Sequence, residues 1–534
     1  MDSCILNWHD VNLPFELLCN RAALGLTHHD CVSGLKKIAA SQTSQGAKVM
    51  FGVKSFTSGS HKNFYVSGAS SPDKPLKTVI VGDNAAGKTR FIVSVIDAFR
   101  LLHQARSGGG PRKLSNRRKD LTSTSGDLRL CYYTSAGFVD AQVDSTTLKV
   151  TLDGGHIFPG EIPLPARIIA ISSAYNDKFP FSTNDEELEG DFYKYCGLRE
   201  TSNASWSATL ARKTIENLLM MDTLGAAVPI EALFDQLGLQ TKFRISLSAT
   251  SKRKFSEALS SPDALLEYIH NYSNYQRRMQ VDMFTSTSKN DVMSIFAGYK
   301  HLRQQTDKSH YFDIDLKSDG RGHSEIYDFL NIVRRVGLIK DVHLELFRVG
   351  AYESYAFSNA SSGETQLLYG FSSILRYACD DSIIFIDEPE VSLHPAWQIR
   401  YVGLLKKALV AVKNCHLIIA THSHFILSDL DEANSSLHVF KKEKDGGISI
   451  ENLEYSTYAW SPENILYSVF NVRTIGNHAF EKDLQEALNL IAVKDSDLVR
   501  LSVLASKFQG LVFDSSDPLN KVIGAIRGYS DGHH

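Results

Sequence analysis

Thr78-Val79-Ile80-Val81-Gly82-Asp83-Asn84-Ala85-Ala86-Gly87-Lys88-Thr89-Arg90 is the stretch that decides the fold. A short β-branched run ends at Gly82. From Thr89 to Leu102, apolar residues then recur at helical spacing through Phe91, Ile92, Val95, Ile96 and Phe99. Strand, glycine loop and helix follow one another, and the loop fits G-x-x-x-x-G-K-S/T in the setting its chemistry requires. The glycines let backbone N–H groups approach phosphate oxygens, and the helix N-terminus adds its positive dipole. Lys88 neutralises phosphate charge, and the Thr89 hydroxyl offers a ligand to Mg²⁺. Gly82, Asp83, Asn84, Ala85, Ala86, Gly87, Lys88 and Thr89, with Arg90 directly after, are the candidate phosphate cradle.

Working outward, Ile383-Ile384-Phe385-Ile386-Asp387-Glu388 reads as a buried strand ending in adjacent carboxylates. Strand alternation sends the two side chains to opposite faces. Beside a phosphate loop, Asp387 becomes the candidate metal ligand, with Thr89, and Glu388 the candidate to orient or deprotonate the attacking water. Alone, such a run is only a strand terminus; the phosphate loop gives it a catalytic meaning. Leu417-Ile418-Ile419-Ala420-Thr421-His422-Ser423 is a second buried strand that ends in His422. Upstream, Ser361-Ser362-Gly363-Glu364 opens a helix expected from about Thr365 to Cys379, and Ser followed three residues later by Glu is a capping box.

Taken in order, GDNAAGKT, SSGE, FIDEPEVSLHP and ATHSH resemble the ABC-type ATPases grouped with the overcoming-lysogenisation-defect and RecF-like proteins. The resemblance implies an α/β fold: an ABC-type P-loop ATPase head, with a strand-rich N-terminal part and a parallel sheet core, that takes ATP and Mg²⁺. His422 matches the switch histidine that contacts the γ-phosphate, so it joins Glu388 as a candidate catalytic residue. Ser361, Ser362, Gly363 and Glu364 resemble the Leu-Ser-Gly-Gly-Gln signature with substitutions, and they can serve as cap and signature together. In that class two subunits sandwich the nucleotide, which implies a homodimer or a higher oligomer of dimers. The signature of one subunit would then face ATP held by Lys88 of the other, and Glu390 to Pro395 resembles the D-loop that crosses the interface.

A narrower resemblance lies between Ala166 and Arg199, where ARIIAISSAYNDKFPF and FYKYCGLR are similar to the ATPase subunits of Septu anti-phage systems and of retrons with Septu-like effectors. The late FDSSDPLNKVI is similar to their C-terminal Asp-Pro element. This segment occupies the Q-loop position but holds no glutamine; Ser172, Ser173, Asp177 and Lys178 are the polar candidates there. The missing glutamine shifts the expectation from a fast motor to a nucleotide-gated switch. The implied partners are a separate HNH-type nuclease subunit and, beyond it, nucleic acid or a retron reverse transcriptase with its DNA. The alternative is a RecF-like repair ATPase acting directly on DNA.

Composition frames these readings. The chain has 534 residues, 43% hydrophobic and 22% charged, with a net charge of -3, which excludes global disorder and a uniformly basic nucleic-acid binder. Seven cysteines without C-x-x-C spacing suggest neither zinc knuckle nor disulfide framework. The acidic MDSCILNWHDVNLPFE start and the lack of a long apolar run lead us to expect a cytoplasmic protein with no membrane partner.

The expected organisation is an N-terminal half of the ATPase domain with the P-loop (1–200), a large helical insertion (201–340), the C-terminal half (341–460) and a helical tail (461–534). Within the insertion, Ala208 to Met221, Ser261 to Tyr272 and Ser324 to Val336 read as amphipathic helices without sustained heptads. The basic run ARSGGGPRKLSNRRK from Ala105 to Lys119 reads as an exposed loop, either solvated or in contact with nucleic acid or an acidic partner. No Toprim metal cluster or HNH arrangement follows; Asp495-Ser496-Asp497 reads as a helix cap or solvated face.

Overall fold

The strand before the glycine loop spans Leu76–Gly82 (β3) in the computed structural model, and every residue in it is buried. The structure describes residues 51–531, leaving aside 60–63, 67–73, 110, 175, 182–191, 200–205, 222, 278–291, 294, 295, 297, 298, 300–310, 318–322, 431–433, 444–446, 454–456, 458, 459, 461–463, 467, 468, 471–477, 493–496 and 510–518. β3 lies inside a sheet ordered β17 (Ile448–Leu453), β16 (Ser435–Lys442), β3, β15 (His416–Thr421), β14 (Ser382–Asp387), β8 (Arg167–Ser172) and β9 (Tyr193–Cys196). All neighbours run parallel except the β16–β17 pair. β14 and β15 are buried along their whole length, as expected where both faces of a parallel sheet are covered.

The register sets out the site. Asp387 pairs with Ala420 on one side and Ser172 on the other, Thr421 pairs with Val81, and Phe440 pairs with Gly82. The carboxyl ends of β3, β14, β15 and β8 thus share one edge, where ligands of open α/β sheets bind.

Helix α1 (Lys88–Arg106) follows the loop, and its apolar stripe is buried. It meets an antiparallel sheet ordered β2 (Phe64–Tyr65), β1 (Gly52–Thr57), β4 (Leu128–Thr134), β5 (Gly137–Val143), β6 (Leu148–Leu152) and β7 (Gly155–His156). Phe91 on α1 is the pin: its ring lies 5.3 Å from Phe56, 4.5 Å from Phe64 and 5.4 Å from Phe440, which ties both sheets to the first turn after the loop.

The stretch from 201 to 348 contains the expected helices, with α3 over Trp206–Met220, α4 over Thr223–Leu237, α5 over Lys252–Ala258, α6 over Pro262–Arg277 and α7 over His323–Arg335. It also contains strands that the sequence reading did not include: β10 (Leu239–Ala249), β11 (Tyr311–Asp315) and β12 (Ile339–Arg348), which form a sheet with β13 (Ser354–Ala356) in the order β11-β10-β12-β13. Phe243 and Ile245 of β10 are buried between more exposed neighbours, a period of two that helical spacing obscured.

A second difference is the basic run. Ser107 and Gly108 end α1, and Pro111–Ser125 is a helix, α2, not a loop. Proline at a first helical position is preorganised for helix, and no breaker follows it.

Helix α8 (Ser362–Tyr377) precedes β14, and α9 (Pro395–Ala408) follows it. Helices α10 (His478–Ala492), α11 (Leu498–Gln509) and α12 (Leu519–Asp531) share a separate small core around Leu501, Leu504, Phe508 and Ile526. Asp497 caps α11 by accepting from the Arg500 N–H at 3.0 Å. Asp495, Ser496 and the FDSSDP part of the late segment lie outside the described residues, as does the chain before Phe51.

Candidate functional site

Residues Asp83 to Gly87 form a tight loop between β3 and α1. Ala86 N–H donates to Asp83 O at 3.1 Å, and Ala85 (φ 63) and Gly87 (φ 84) take left-handed backbone. Gly82 has φ 149, and a Cβ built there would lie 2.2 Å from Phe440 O, so the neighbouring strand leaves room for glycine alone. Asp83, Asn84, Ala85 and Arg90 are exposed, while Lys88 is buried at 5%.

Lys88 Nζ donates to Gly82 O at 2.8 Å, to Asp83 O at 3.2 Å and to His422 Nε2 at 2.8 Å. Burial pulls the Lys88 ammonium down to about 8 against the opposing pull of Glu388, Asp387, Glu390 and Asp83. Burial and the nearby Lys88 charge also lower the His422 pKa, so the ring accepts from Lys88 as a neutral imidazole. Its Nε2 lies 3.8 Å from Glu388 Oε1, a contact beyond hydrogen-bond reach.

At the end of β14, the Thr89 hydroxyl donates to Asp387 Oδ2 at 3.0 Å and Oδ1 at 3.2 Å. Burial raises the Asp387 carboxyl to about 7 despite that bond, so the side chain sits where a cation would favour its charged form. A hydroxyl and a carboxylate together are hard oxygen donors suited to Mg²⁺. Among the described residues no group of His, Cys, Asp and Glu is sufficient to cage a metal by itself. The donor set therefore fits an ion shared with phosphate oxygens, the usual arrangement for Mg²⁺.

Glu388 leaves the strand pleat: its φ is 51, and its N–H donates to Ala420 O at 2.9 Å. A left-handed turn, rather than simple alternation, separates the two carboxylates and brings the half-exposed Glu388 towards His422.

The residue that sequence reading underused is Glu390. Its Oε1 accepts the His422 N–H at 2.5 Å and its Oε2 the Thr421 hydroxyl at 2.8 Å, so it fixes the end of β15 on which His422 stands. The sequence offered only one clue, a third acid two residues past Glu388, beyond Pro389.

The structure separates the signature residues by role. Ser361 and Ser362 are exposed at the start of α8. A Cβ on Gly363 would lie 2.7 Å from Ser392 O and 3.0 Å from the Trp397 ring, which locks the signature onto the 390–395 turn. Glu364, expected to face nucleotide with the serines, is drawn inward instead. Its Oε2 accepts from Ser361 N at 2.8 Å, completing the capping box, and its Oε1 pairs with Arg348 at 2.6 Å.

At the end of β8, Ser172 Oγ accepts from Ala174 N at 3.1 Å. Asp177 is enclosed, with Tyr195 OH at 2.6 Å, Phe179 N at 3.0 Å and Arg199 Nη2 at 3.0 Å, so its carboxylate serves this local cluster rather than an ion.

Similar solved structures include the Smc head domain of Pyrococcus furiosus bound to the C-terminal domain of ScpA. That match has 11% identity, covers 80% of this chain and 99% of that one, and gives a TM-score of 0.30. The SMC head domain of Thermotoga maritima matches at 12% identity, with 76% and 99% coverage and a TM-score of 0.31. Likenesses at these scores carry no functional reading. No curated protein matches the sequence. Among the described residues, no helix is long and apolar enough to cross a membrane. A family profile described as "AAA domain, putative AbiEii toxin, Type IV TA system" matches residues 77–428, from the base of β3 past His422. With that match over well over half its length, and with a P-loop at the carboxyl edge of a parallel sheet, the chain belongs to this family of AAA domains.

Proposed function

We propose that this chain is an ATP-hydrolysing switch in which two copies close on ATP, and that it serves as the regulatory subunit of an anti-phage defence complex with a separate nuclease. The observation that carries the ATPase part is the convergence of Lys88, Thr89, Asp387, Glu388 and His422 at neighbouring strand ends. Loop N–H groups and Lys88 hold the phosphates, with Lys88 exchanging the Gly82 and Asp83 carbonyls and His422 for phosphate oxygens. Thr89 and Asp387 would hold Mg²⁺, which would supply charge neutralisation for the nucleotide phosphates. Glu388 aligns the attacking water and takes its proton, His422 donates to the terminal phosphate, and Glu390 keeps His422 in place.

Ser361 and Ser362, exposed at the start of α8, complete the site of a second copy; the buried Gly363 and Glu364 shape that surface from beneath. The Septu-like segments and the family's description as part of a toxin–antitoxin system support the defence role. The test is direct. Glu388→Gln with ATP and Mg²⁺ is expected to accumulate as a dimer by analytical ultracentrifugation, while Lys88→Ala neither binds ATP nor pairs. A Glu388→Gln chain that turns over ATP at the wild-type rate would remove the base assignment. Copurification from the native host without any nuclease would remove the defence-complex assignment.

One observation favours direct action on DNA as a second reading. Helix α2 gathers Arg112, Lys113, Arg117, Arg118 and Lys119 on one short element. That reading requires ATP-dependent, steeply salt-sensitive DNA binding by the isolated chain, abolished when these residues are neutralised.

A further inference from the structure

Gln366 lies one turn into α8. Its Nε2 donates to Ser173 O at 3.1 Å. Ser173 N–H in turn donates to Asp387 O at 3.3 Å, and Ser172 is the register partner of Asp387 across β8 and β14. A single side chain and a single residue, Ser173, therefore separate α8 from the residue whose carboxylate holds the Thr89 hydroxyl. The other amide atom, Gln366 Oε1, is buried and accepts no hydrogen bond among the described residues. Buried polar atoms without a partner are uncommon, and each calls for an explanation.

Farther along the same helix, Asn217 Nδ2 on α3 donates to Ser373 Oγ at 2.8 Å, and Arg376 Nη1 donates to Asn217 Oδ1 at 3.1 Å. This polar seam fastens α8 to α3.

We propose that Gln366 is a positioning residue that couples the Asp387 end of the site to the exposed start of α8 and, through Asn217, to the inserted subdomain. The inference rests on the ATP and Mg²⁺ reading of the site given above. The end of β8 is where the absent Q-loop glutamine would have stood, and Gln366 reaches the same strand end from the opposite direction. Thr89 and Asp387 would hold the cation, and any displacement of the end of β14 on loading would reach Ser173 through its N–H and α8 through the amide of Gln366. Its spare acceptor gives the amide a second bonding arrangement without breaking the first. Packed elements of this kind switch between discrete arrangements rather than deforming smoothly.

The test compares full-length wild-type chain with Gln366→Met, which keeps the volume and removes both polar atoms. Three quantities are read: affinity for a fluorescent ATP analogue with Mg²⁺, steady-state turnover, and hydrogen exchange of residues 361–377 with and without ATP and Mg²⁺. In wild type, ATP and Mg²⁺ are expected to change the exchange of α8. In Gln366→Met the affinity and melting temperature hold, that exchange response is lost, and kcat falls about tenfold or more at unchanged KM, within the usual range of site-to-site coupling.

Unchanged kcat with an intact exchange response overturns the proposal. So does a parallel loss of affinity and melting temperature, which would mark Gln366 as a packing residue only. A wild-type chain that shows the exchange response yet never pairs would refute dimer closure and leave the coupling standing. A wild-type chain that binds no ATP would refute the underlying reading itself.

Discussion

Two residues at the site act by holding structure rather than by reacting. Gly82 stands where any Cβ would meet the Phe440 carbonyl, so Gly82→Ala must push β16 away from β3 or unseat the loop. It is expected to lower stability by about 2–3 kcal/mol, read by urea unfolding, and to abolish nucleotide binding as well. Glu390 acts by holding rather than reacting. Glu390→Ala frees the His422 N–H and the Thr421 hydroxyl, and is expected to cut kcat by about 10- to 100-fold while ATP affinity changes little. Glu390→Gln keeps one acceptor oxygen and should retain most of the activity; equal losses in the two variants would show that geometry is not what Glu390 supplies.

Among the elements, the seam joining β3, β15 and β16 carries two buried histidines. Val53 N–H donates to His416 Nδ1 at 3.0 Å, and His416 Nε2 lies 2.8 Å from the Thr78 hydroxyl, so the ring must be neutral with its proton on Nε2. Complete burial, with His438 nearby, pushes His416 down to about 3, and burial holds His438 at about 4. Both folded values lie below the unfolded value near 6.5, so the unfolded chain binds more protons in between. The stabilisation is full above about pH 6.5 and is lost progressively as pH falls towards 4, by up to ~1.4 kcal/mol per pH unit for each ring. His416→Gln should flatten that dependence in urea unfolding measured across pH 4 to 7; an unchanged slope would place the titration elsewhere.

Legibility also differs by element. Strands β3, β14 and β15 announce themselves because each is a continuous apolar run ending in a chemical motif. β10 hides its alternation among lysine, arginine and serine, and α2 hides behind three glycines and a dense positive charge. Within the site, residue types tied to a motif were legible. The roles proposed for Glu390 and Gln366 were not, because their partners, the His422 N–H and Thr421 hydroxyl for one and the Ser173 carbonyl for the other, are distant in sequence and only the folded register brings them near.

For the whole molecule, nucleotide binding and folding are linked. A ligand that binds only the native state adds RT ln(1 + [L]/Kd), about 2.7 kcal/mol at a hundredfold excess over Kd. ATP with Mg²⁺ should therefore raise the melting temperature of the wild-type chain, and the same addition should leave Lys88→Ala unmoved; an equal shift in both would place the nucleotide outside this loop. The contact between Gly363 and Trp397 has a further use. The chain has four tryptophans, at positions 8, 206, 397 and 460. With the other three changed to phenylalanine, the remaining indole becomes an intrinsic fluorophore seated against the signature backbone. Its emission would follow the proposed closure around nucleotide in real time, in unlabelled protein, and would give its rate as well as its end states.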